Sequence, residues 1–471
     1  MRRPLLLLVI FAGCAKLLDL EDVTHEEVVA FPVTASRDLD LLFLIDDSPS
    51  TADKQANLAS GFPTFIATLQ SFPGGLPDLH IGFATADMGT QGALDMNPSF
   101  GPEVGTGMRG TCSGTGKDGA LQVFGQPVAD VFLSDSANPV TAARTRNYTG
   151  NLAVVMGEIA KGAGVDGCGF EQPLAAVERA LTNPANHGFL RPDAYLGVIV
   201  ITDEDDCSLA HYSLLATDAT SNALLGALQS FRCTRFGVQC DRGGQTPDAM
   251  NQVGAKQDCH PNDGSAYLTT VGKYAAFLKG LKTFPGKVFV AAIAGATAPV
   301  AVELNVPSNG KTAIPSLAHS CSYVDRTGMT AVADPAIRIQ SFVDQFADHS
   351  AFASICNHDP SVALQQIGML ANTVMGPACF AGPLAHADPA VAGAPYDCQV
   401  AVIDGQDPAP GRSLPACDRD DVSATNPPCW HIAADAASCP KGDHLTPVIE
   451  GLDRLAMDAY VTARCAIAPP G

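Results

Sequence analysis

The chain has 471 residues, enough for one large domain with insertions or for two or three ordinary domains. Its 49 acidic and 28 basic residues give a formal net charge of -21, which argues against the phosphate backbone of a nucleic acid as a partner. Only 16% of the residues are charged, and 44 glycines and 34 prolines indicate a folded, loop-rich protein rather than a coiled coil.

The first residues resemble a bacterial export signal. Two arginines precede an apolar run over residues 4–12, and the tetrapeptide Phe-Ala-Gly-Cys that ends at Cys14 resembles a lipobox. This resemblance implies cleavage before Cys14, lipidation of that cysteine and an outer-membrane lipoprotein facing the periplasm or the exterior. Phe11 stands where a lipobox usually has leucine, so ordinary signal cleavage and secretion remain the alternative. We predict a lipoprotein signal over residues 1–14 and a tether over residues 15–37.

In chain order, the predicted strands are nearly continuous apolar runs, typical of strands buried on both faces of a parallel sheet. The predicted helices repeat apolar residues at helical spacing. The elements are a strand at 38–45, a helix at about 53–70, a strand at 79–86, helices at 152–163 and 171–181, a strand at 196–202, a helix at 266–281, a strand at 288–294, and helices at 336–347 and 361–375.

The alternation of strands and helices predicts an α/β domain over residues 38–375, with a doubly wound, mostly parallel, Rossmann-like sheet. Two stretches without a clear period, at about 88–149 and 207–262, are predicted to be insertions. After residue 14, the sequence contains no uninterrupted apolar stretch of 18 residues that would predict a membrane span.

The cysteines support export and a separate C-terminal region. Setting Cys14 aside for the lipid leaves 14 of the 15 cysteines, an even number that allows up to seven disulfides in an oxidising compartment. The sequence does not define their pairing. Eight of them lie before residue 375 and six after it. Because residues 379–471 are also rich in proline, aspartate and glycine, we predict a small cysteine-rich C-terminal module there.

Two acidic loops directly follow predicted strands. The pattern Asp46-x-Ser48-x-Ser50 leaves the first strand, and Thr202-Asp203 leaves the strand at 196–202. In an open parallel α/β sheet, ligands bind beyond the carboxyl ends of the strands, where such loops meet. One carboxylate and two hydroxyls at alternate positions suit Mg²⁺ or Ca²⁺, with Mn²⁺ as a third candidate.

These motifs resemble the metal-ion-dependent adhesion site of von Willebrand factor A (VWA) domains, and with the lipobox they resemble VWA domain-containing bacterial lipoproteins. The resemblance covers about residues 38–375, interrupted by the two insertions. It implies that Asp46, Ser48 and Ser50 are ligands of a divalent metal. It also implies that Asp203 completes the ligand shell, often through water.

One ligand of the family pattern is missing. VWA domains supply a threonine from a loop between the two acidic loops, but the corresponding residues 167–172 include none. We take Glu171 as the tentative replacement, and a carboxylate there favours a tighter and less electrophilic metal site. Asp205 and Asp206 are expected to be solvated or to cap a turn rather than to bind metal.

The resemblance implies an envelope-anchored protein that uses its metal to capture a carboxylate of a protein or of a surface polymer. No residue is assigned a catalytic role, and we expect a binding protein rather than an enzyme. One alternative is a hydrolase in which acidic residues around Asp203 and Glu171 hold a metal that activates water. The other is a structural envelope protein with a vestigial site, whose C-terminal region makes the contacts.

Overall fold

The computed structural model describes residues 26–34, 36–95, 104–105, 111–306, 313–325, 327–386, 396–404, 407–417, 427–439 and 441–468. The predicted signal, including Cys14, lies outside the described residues. The strands of the described part are β1 Glu26–Pro32, β2 Asp38–Ile45, β3 Asp78–Thr85, β4 Val104–Gly105, β5 Thr111–Cys112, β6 Leu133–Ala137, β7 Arg144–Arg146, β8 Tyr195–Ile201, β9 Val238–Arg242, β10 Gly254–Pro261, β11 Val288–Ala294, β12 Val300–Asn305, β13 Ile314–Leu317, β14 Cys321–Val324, β15 Thr330–Ala333, β16 Ser350–Ser354, β17 Cys398–Asp404, β18 Asp407–Ser413, β19 Cys429–Ala434, β20 Leu445–Glu450 and β21 Tyr460–Ala466. The α-helices there are α1 Ala52–Gln70, α2 Leu152–Gly162, α3 Pro173–Thr182, α4 Ala219–Leu225, α5 Phe231–Gly237, α6 Pro247–Met250, α7 Val271–Lys279, α8 Ile337–Asp344 and α9 Ser361–Met375.

The main sheet has seven strands in the order β16-β11-β8-β2-β3-β6-β7. The five strands from β16 to β3 are parallel to one another. β6 and β7 extend the sheet in antiparallel orientation beyond β3. The fold is therefore α/β with a mixed sheet, in which four of the five parallel strands, β2, β3, β8 and β11, carry the predicted apolar runs.

Helices cover both faces of this sheet, which explains why β2 is apolar at almost every position. Leu41 and Phe43 point into a core that includes side chains of α1, α2 and α9. Leu42 and Leu44 point into a second core that includes side chains of α3, α7 and α8. Because successive side chains of a strand alternate between faces, a strand packed on both sides has no polar face.

The C-terminal region has a core and a sheet of its own. Its sheet has the order β1-β21-β17-β18, and its buried side chains form a cluster distinct from the two cores of the main sheet. The seven disulfides each join cysteines of the same region, four before residue 375 and three after it. The three in the C-terminal region are Cys379–Cys439, Cys398–Cys465 and Cys417–Cys429.

The structure differs from the predicted tether over residues 15–37. Within that segment, β1 forms seven residue pairs with the C-terminal strand β21, from Glu26 opposite Ala466 to Pro32 opposite Tyr460. β1 is an edge strand with no fully buried residue, so its sequence lacks the strong apolar pattern that would have identified it.

The region predicted as an insertion at 88–149 also contains unpredicted strands of the main sheet. β6 has the sequence Leu-Ser-Asp-Ser-Ala and β7 has the sequence Arg-Thr-Arg, and neither shows a hydrophobic period. Asp135 of β6 is buried and pairs with Arg144 of β7 at 2.6 Å, so the two strands are joined by charge as well as by backbone hydrogen bonds.

The predicted helix at 266–281 is shorter in the structure, where α7 begins at Val271. The residues before it are tied to the loop after β8, because Thr269 N donates to Ser208 O at 2.9 Å and Ala210 N donates to Tyr267 O at 2.7 Å. These backbone bonds hold an extended conformation that helical spacing of side chains cannot reveal.

Candidate functional site

The two acidic loops lie side by side at the carboxyl edge of the main sheet. β2 and β8 are neighbouring parallel strands, with Ile45 opposite Ile201. The next residue, Asp46, donates its backbone N–H to Ile201 O at 2.9 Å. Thr202 Oγ1 donates to Asp46 Oδ2 at 2.8 Å, so the carboxylate at the end of β2 is oriented by the loop after β8.

A chain of hydrogen bonds joins the four residues predicted as metal ligands. Ser48 N donates to Asp46 Oδ1 at 2.8 Å, and the hydroxyls of Ser48 and Ser50 are 3.0 Å apart. Ser50 Oγ donates to Asp203 Oδ1 at 3.0 Å. Asp46, Ser48 and Asp203 are buried, whereas Ser50 is exposed, so the cluster meets solvent on the Ser50 side.

Glu171 lies in the loop before α3 and is 1% exposed. Its backbone O accepts from Cys207 N at 2.8 Å, which ties this loop to the acidic loop after β8. Its Oε1 is buried and has no hydrogen-bond partner among the described residues. Burial, together with the charges of Glu204, Asp46 and Asp203, raises the pKa of Glu171 well above its usual value.

The neighbouring carboxyl groups are affected in the same direction. Burial and the charge of Asp203 raise the pKa of Asp46 to about 7. Burial and the charges of Asp334 and Asp203 raise the pKa of Glu204 well above its usual value. Burial also raises the pKa of Asp203, although a lysine opposes the shift. Such an accumulation of acidic groups requires protons or cations for its stability.

The lysine is Lys54, a residue of this site that the sequence patterns do not predict. Its side chain is 4% exposed, and its Nζ lies 2.9 Å from Asp203 Oδ2 and 3.3 Å from Asp53 Oδ1. The same Nζ donates to Ser50 O at 2.9 Å. Burial disfavours the ammonium, but the charge and hydrogen bond of Asp203 overcome that effect and raise the pKa of Lys54. A lysine in the first turn of a helix is unfavourable to the helix dipole, and this was the available signal.

Asp47, which alternates with the predicted ligands, is directed elsewhere. Its carboxylate forms an ion pair with Lys117 of the first insertion. Its backbone O accepts from Gly167 N at 2.8 Å. Burial raises the pKa of Asp47 to about 6 against the opposing charge of Lys117. Asp47 therefore connects the loop after β2 to two other loops, those that contain Lys117 and Gly167.

Asp205 and Asp206 are buried rather than solvated, and Asp205 has the capping role that was the alternative expectation for these residues. Asp205 accepts hydrogen bonds from the backbone N–H of Arg338 at 2.9 Å and of Ile339 at 3.1 Å. Asp206 pairs with the buried Arg338 guanidinium at 2.9 Å. Asp205 thus accepts the unpaired N–H groups at the start of α8, whereas Asp206 accepts the guanidinium of Arg338 and, at 3.1 Å, the backbone N–H of Leu174 in the first turn of α3.

The cysteines beside the site connect it to both insertions. Cys168 bridges to Cys112 and Cys207 bridges to Cys233. The second bridge brings α5 over the acidic loops, where a cavity of about 10 Å³, measured for the centre of a water molecule, is lined by Glu171, Glu204, Asp205, Cys207, Ser230 and Asp334 among others. That volume is enough for about one water molecule.

The residues at this edge match a hard divalent cation in the kind of donor they offer. Carboxylate and hydroxyl oxygens are the ligands that Mg²⁺ and Ca²⁺ prefer, and Glu171 Oε1 is a buried oxygen to which no described residue donates a hydrogen bond. In the described part of the chain, however, no group of three or more His, Cys, Asp or Glu side chains is placed to hold a metal ion. The ammonium of Lys54 lies on Asp203 and Ser50, two of the predicted ligands.

Comparisons with known proteins give little further information. No protein-family model matches the chain, and no curated protein matches it. Among solved structures, the chain is similar to the human COPII-coat protein Sec24c, with 8% identity and a TM-score of 0.28, over 94% of this chain and 41% of that chain. The chain thus spans less than half of that protein's length, and we infer neither fold nor function from so low a score.

In the described ranges, none of the helices is both long enough and apolar enough to cross a bilayer.

Proposed function

We propose that the chain is a VWA-type binding protein with a doubly wound, Rossmann-like sheet. In this proposal, Asp46, Ser48, Ser50 and Asp203 hold a divalent cation, Mg²⁺, Ca²⁺ or Mn²⁺, and Glu171 is a tentative further ligand. The site would capture a carboxylate presented by another protein or by a surface polymer. We assign no catalytic residue.

The observation that carries this proposal is the contact between the two loops. Ser50 Oγ lies 3.0 Å from Asp203 Oδ1, although the two residues are 153 positions apart in the chain. Asp46 belongs to the same hydrogen-bonded group through Ser48. An N-cap alone would explain the polar residues after β2, but it would not explain their contact with a carboxylate from the loop after β8.

Each of these residues would have a different role in such a metal site. Thr202 and the backbone of Ser48 hold the two oxygens of Asp46 in fixed directions. Ser48 and Ser50 contribute neutral oxygens, and Ser50 is the exposed member through which a partner would approach. When bound, a divalent cation at this edge supplies an electrophilic coordination position that an incoming carboxylate can fill.

The proposal includes anchoring to the cell envelope. We propose Cys14 as the lipidated residue of an outer-membrane lipoprotein, with secretion as the alternative, on the basis of the lipobox-like sequence. Seven disulfides agree with an oxidising compartment. With a net charge of -21, we propose no nucleic-acid partner.

A metal-dependent hydrolase is the second candidate, favoured by one observation. Glu171 and Glu204 line the small cavity that has room for about one water molecule, and the pKa values of both are raised by burial and by neighbouring acids. Turnover of phosphate-ester, peptide or glycoside substrates that depends on added metal and is lost in Glu171→Gln would favour this candidate over a binding role.

Calorimetric titration of the purified protein with Mg²⁺, Ca²⁺ and Mn²⁺ tests the binding proposal. We expect uptake of at least one of these ions by the wild type and loss of uptake in Asp46→Ala, because that variant removes a carboxylate at the centre of the hydrogen-bonded group. Asp348→Ala is the matched control, since Asp348 is exposed and lies two residues before the amino end of β16. Absence of uptake of all three ions by the wild type would contradict the proposal.

A further inference from the structure

Lys54 occupies a position that neither the helix nor the core explains. It lies in the first turn of α1, where the positive end of the helix dipole disfavours a cation. A lysine side chain normally extends its ammonium into water, yet this one is 4% exposed. The burial must be balanced by its acceptors, which are a carboxylate oxygen of Asp203, a carboxylate oxygen of Asp53 and the backbone oxygen of Ser50.

Two of those acceptor residues are the ones that the proposed function assigns to a metal. Lys54 Nζ is 2.9 Å from Asp203 Oδ2, while Asp203 Oδ1 accepts the Ser50 hydroxyl. Both oxygens of Asp203 are therefore engaged, one by an ammonium and one by a predicted co-ligand. Two cations that share one carboxylate in a site shielded from water repel each other strongly.

We propose that Lys54 is an internal counter-cation of this site, and that a divalent metal binds only by displacing the Lys54 ammonium from Asp203. The inference rests on the proposed function, because it concerns the metal of that same site. It explains how the charge of the buried Asp203 is balanced without metal.

The displaced ammonium has a partner available toward solvent. Asp53 is adjacent in sequence, its side chain is 20% exposed, and it already lies 3.3 Å from Lys54 Nζ. The Tyr323 hydroxyl donates to Asp53 and fixes that carboxylate at the outer side of the site. Displacement would therefore move the ammonium outward on its flexible stem. It would also uncover Asp203 on the side of the exposed Ser50.

This mechanism makes metal affinity depend on the fraction of molecules in which Lys54 has left the site. If the ammonium occupies the site in nine molecules of ten or more, the apparent affinity is reduced by about tenfold or more. Lys54→Met keeps the length of the side chain and removes its charge. We expect this variant to bind Mn²⁺ at least about tenfold more tightly than the wild type. Lys54→Arg retains the charge and should not show this gain.

Titration with Mn²⁺, followed by the electron paramagnetic resonance of the free ion, measures these affinities. Lys161→Met is the matched control, because Lys161 is 45% exposed and pairs with a glutamate on the surface of α2. Acylation of lysines, read out by peptide mass spectrometry, gives a second measurement on the unmodified protein. Lys54 should resist acylation without metal and react when Mn²⁺ is added, while Lys161 reacts in both conditions.

The outcomes separate this inference from the proposed function. Tighter binding by Lys54→Met with metal-dependent acylation of Lys54 supports both. Uptake of Mn²⁺ by Lys54→Met but not by the wild type supports the role of Lys54 as a counter-cation and overturns the proposal that the wild type binds metal. Uptake by the wild type with Lys54 still protected, and no gain in Lys54→Met, overturns the inference and leaves the proposed function standing. No uptake by either protein overturns both.

Discussion

The main sheet and the C-terminal region are stabilised in different ways. The main sheet lies between two large apolar cores, one on each face, and its five parallel strands contain no cysteine. The C-terminal region has one smaller core, and two of its four-stranded sheet's members, β17 and β21, are joined directly by a disulfide. For its length, the C-terminal region has more disulfides, three after residue 375 against four in the much longer part before it, as expected for a small module with less apolar burial.

The apolar core of the main sheet can be weakened by a single substitution in β2. Phe43 of β2 contacts the rings of Phe62, Phe65 and Phe83, with centroids 5.3 to 5.8 Å away. Phe43→Ala should lower the free energy of unfolding of the main sheet by about 3–5 kcal/mol, because it leaves a cavity among packed aromatic rings. Denaturant unfolding measures the loss.

Hydrogen exchange then locates that effect. Amide protection should fall in β2, β3 and β8 and remain in β17 and β21. Val140→Ala is the control, since Val140 is 90% exposed and its truncation should change neither region. Equal loss of protection in β21 would show that the two regions unfold as one unit and would contradict the comparison.

The stability of the C-terminal region should depend on its disulfides. Cys398 and Cys465 face each other on β17 and β21 and close a segment of 67 residues. Replacing both by alanine should destabilise the C-terminal region by about 2–5 kcal/mol, because the unfolded chain regains the entropy that the bridge removes. Hydrogen exchange should show the loss in β17 and β21 with β2 unchanged.

The control for this pair is a bridge outside the C-terminal region. Cys321→Ala with Cys356→Ala removes the disulfide between β14 and the segment after β16. We expect faster exchange in the hairpin of β14 and β15 and no change in β17. If removal of the C-terminal bridge left exchange in β17 and β21 unaltered, the proposed dependence of that region on its disulfides would be wrong.

The two regions should also differ in the way that their stability depends on pH. Burial raises the pKa of Asp205 to about 7, far above the value of an exposed aspartate in the unfolded chain. Between about pH 4 and pH 7 the folded protein therefore binds more protons at this group, so the stability of the main sheet falls as the pH rises. In the C-terminal region, Asp435 shows the opposite shift, because hydrogen bonds from Ser438 lower its pKa.

Thermal unfolding at a series of pH values, without added metal, measures this dependence. Asp205→Asn should flatten the decline of stability between pH 4 and 7, by at most about 1.4 kcal/mol per pH unit, since one titrating proton is removed. Asp348→Asn, at an exposed position, should leave the slope as it is. An unchanged slope in Asp205→Asn would contradict the assignment of this carboxyl group.

The sequence predicts best the elements whose side chains alone determine their placement. The predicted strand at 288–294 and helix at 361–375 match β11 and α9, because each shows a strong apolar pattern. β16 was not predicted, because it is an edge strand of the main sheet and none of its residues is fully buried. β6 and β7 were missed for a similar reason, since backbone pairing and the Asp135–Arg144 ion pair hold them.

In the candidate site, too, the residues with a local sequence pattern were predicted and those that depend on distant contacts were not. Local spacing identified Asp46, Ser48, Ser50 and Asp203, because they lie within five residues of the end of a strongly apolar strand. Lys54 could not be identified by spacing, since its significance depends on a carboxylate almost 150 residues further along the chain. The burial of Asp205 and Asp206 was likewise unpredictable, because their acceptor role depends on α8, more than 130 residues later.

The pairing of β1 with β21 has a consequence for an anchored molecule. Glu26, the first residue of β1, is twelve positions after Cys14. A fully extended chain of that length reaches about 40 Å. If Cys14 is lipidated as we propose, the edge of the β1-β21-β17-β18 sheet would lie within about 40 Å of the bilayer surface. The C-terminal region would then be the membrane-proximal part of the protein.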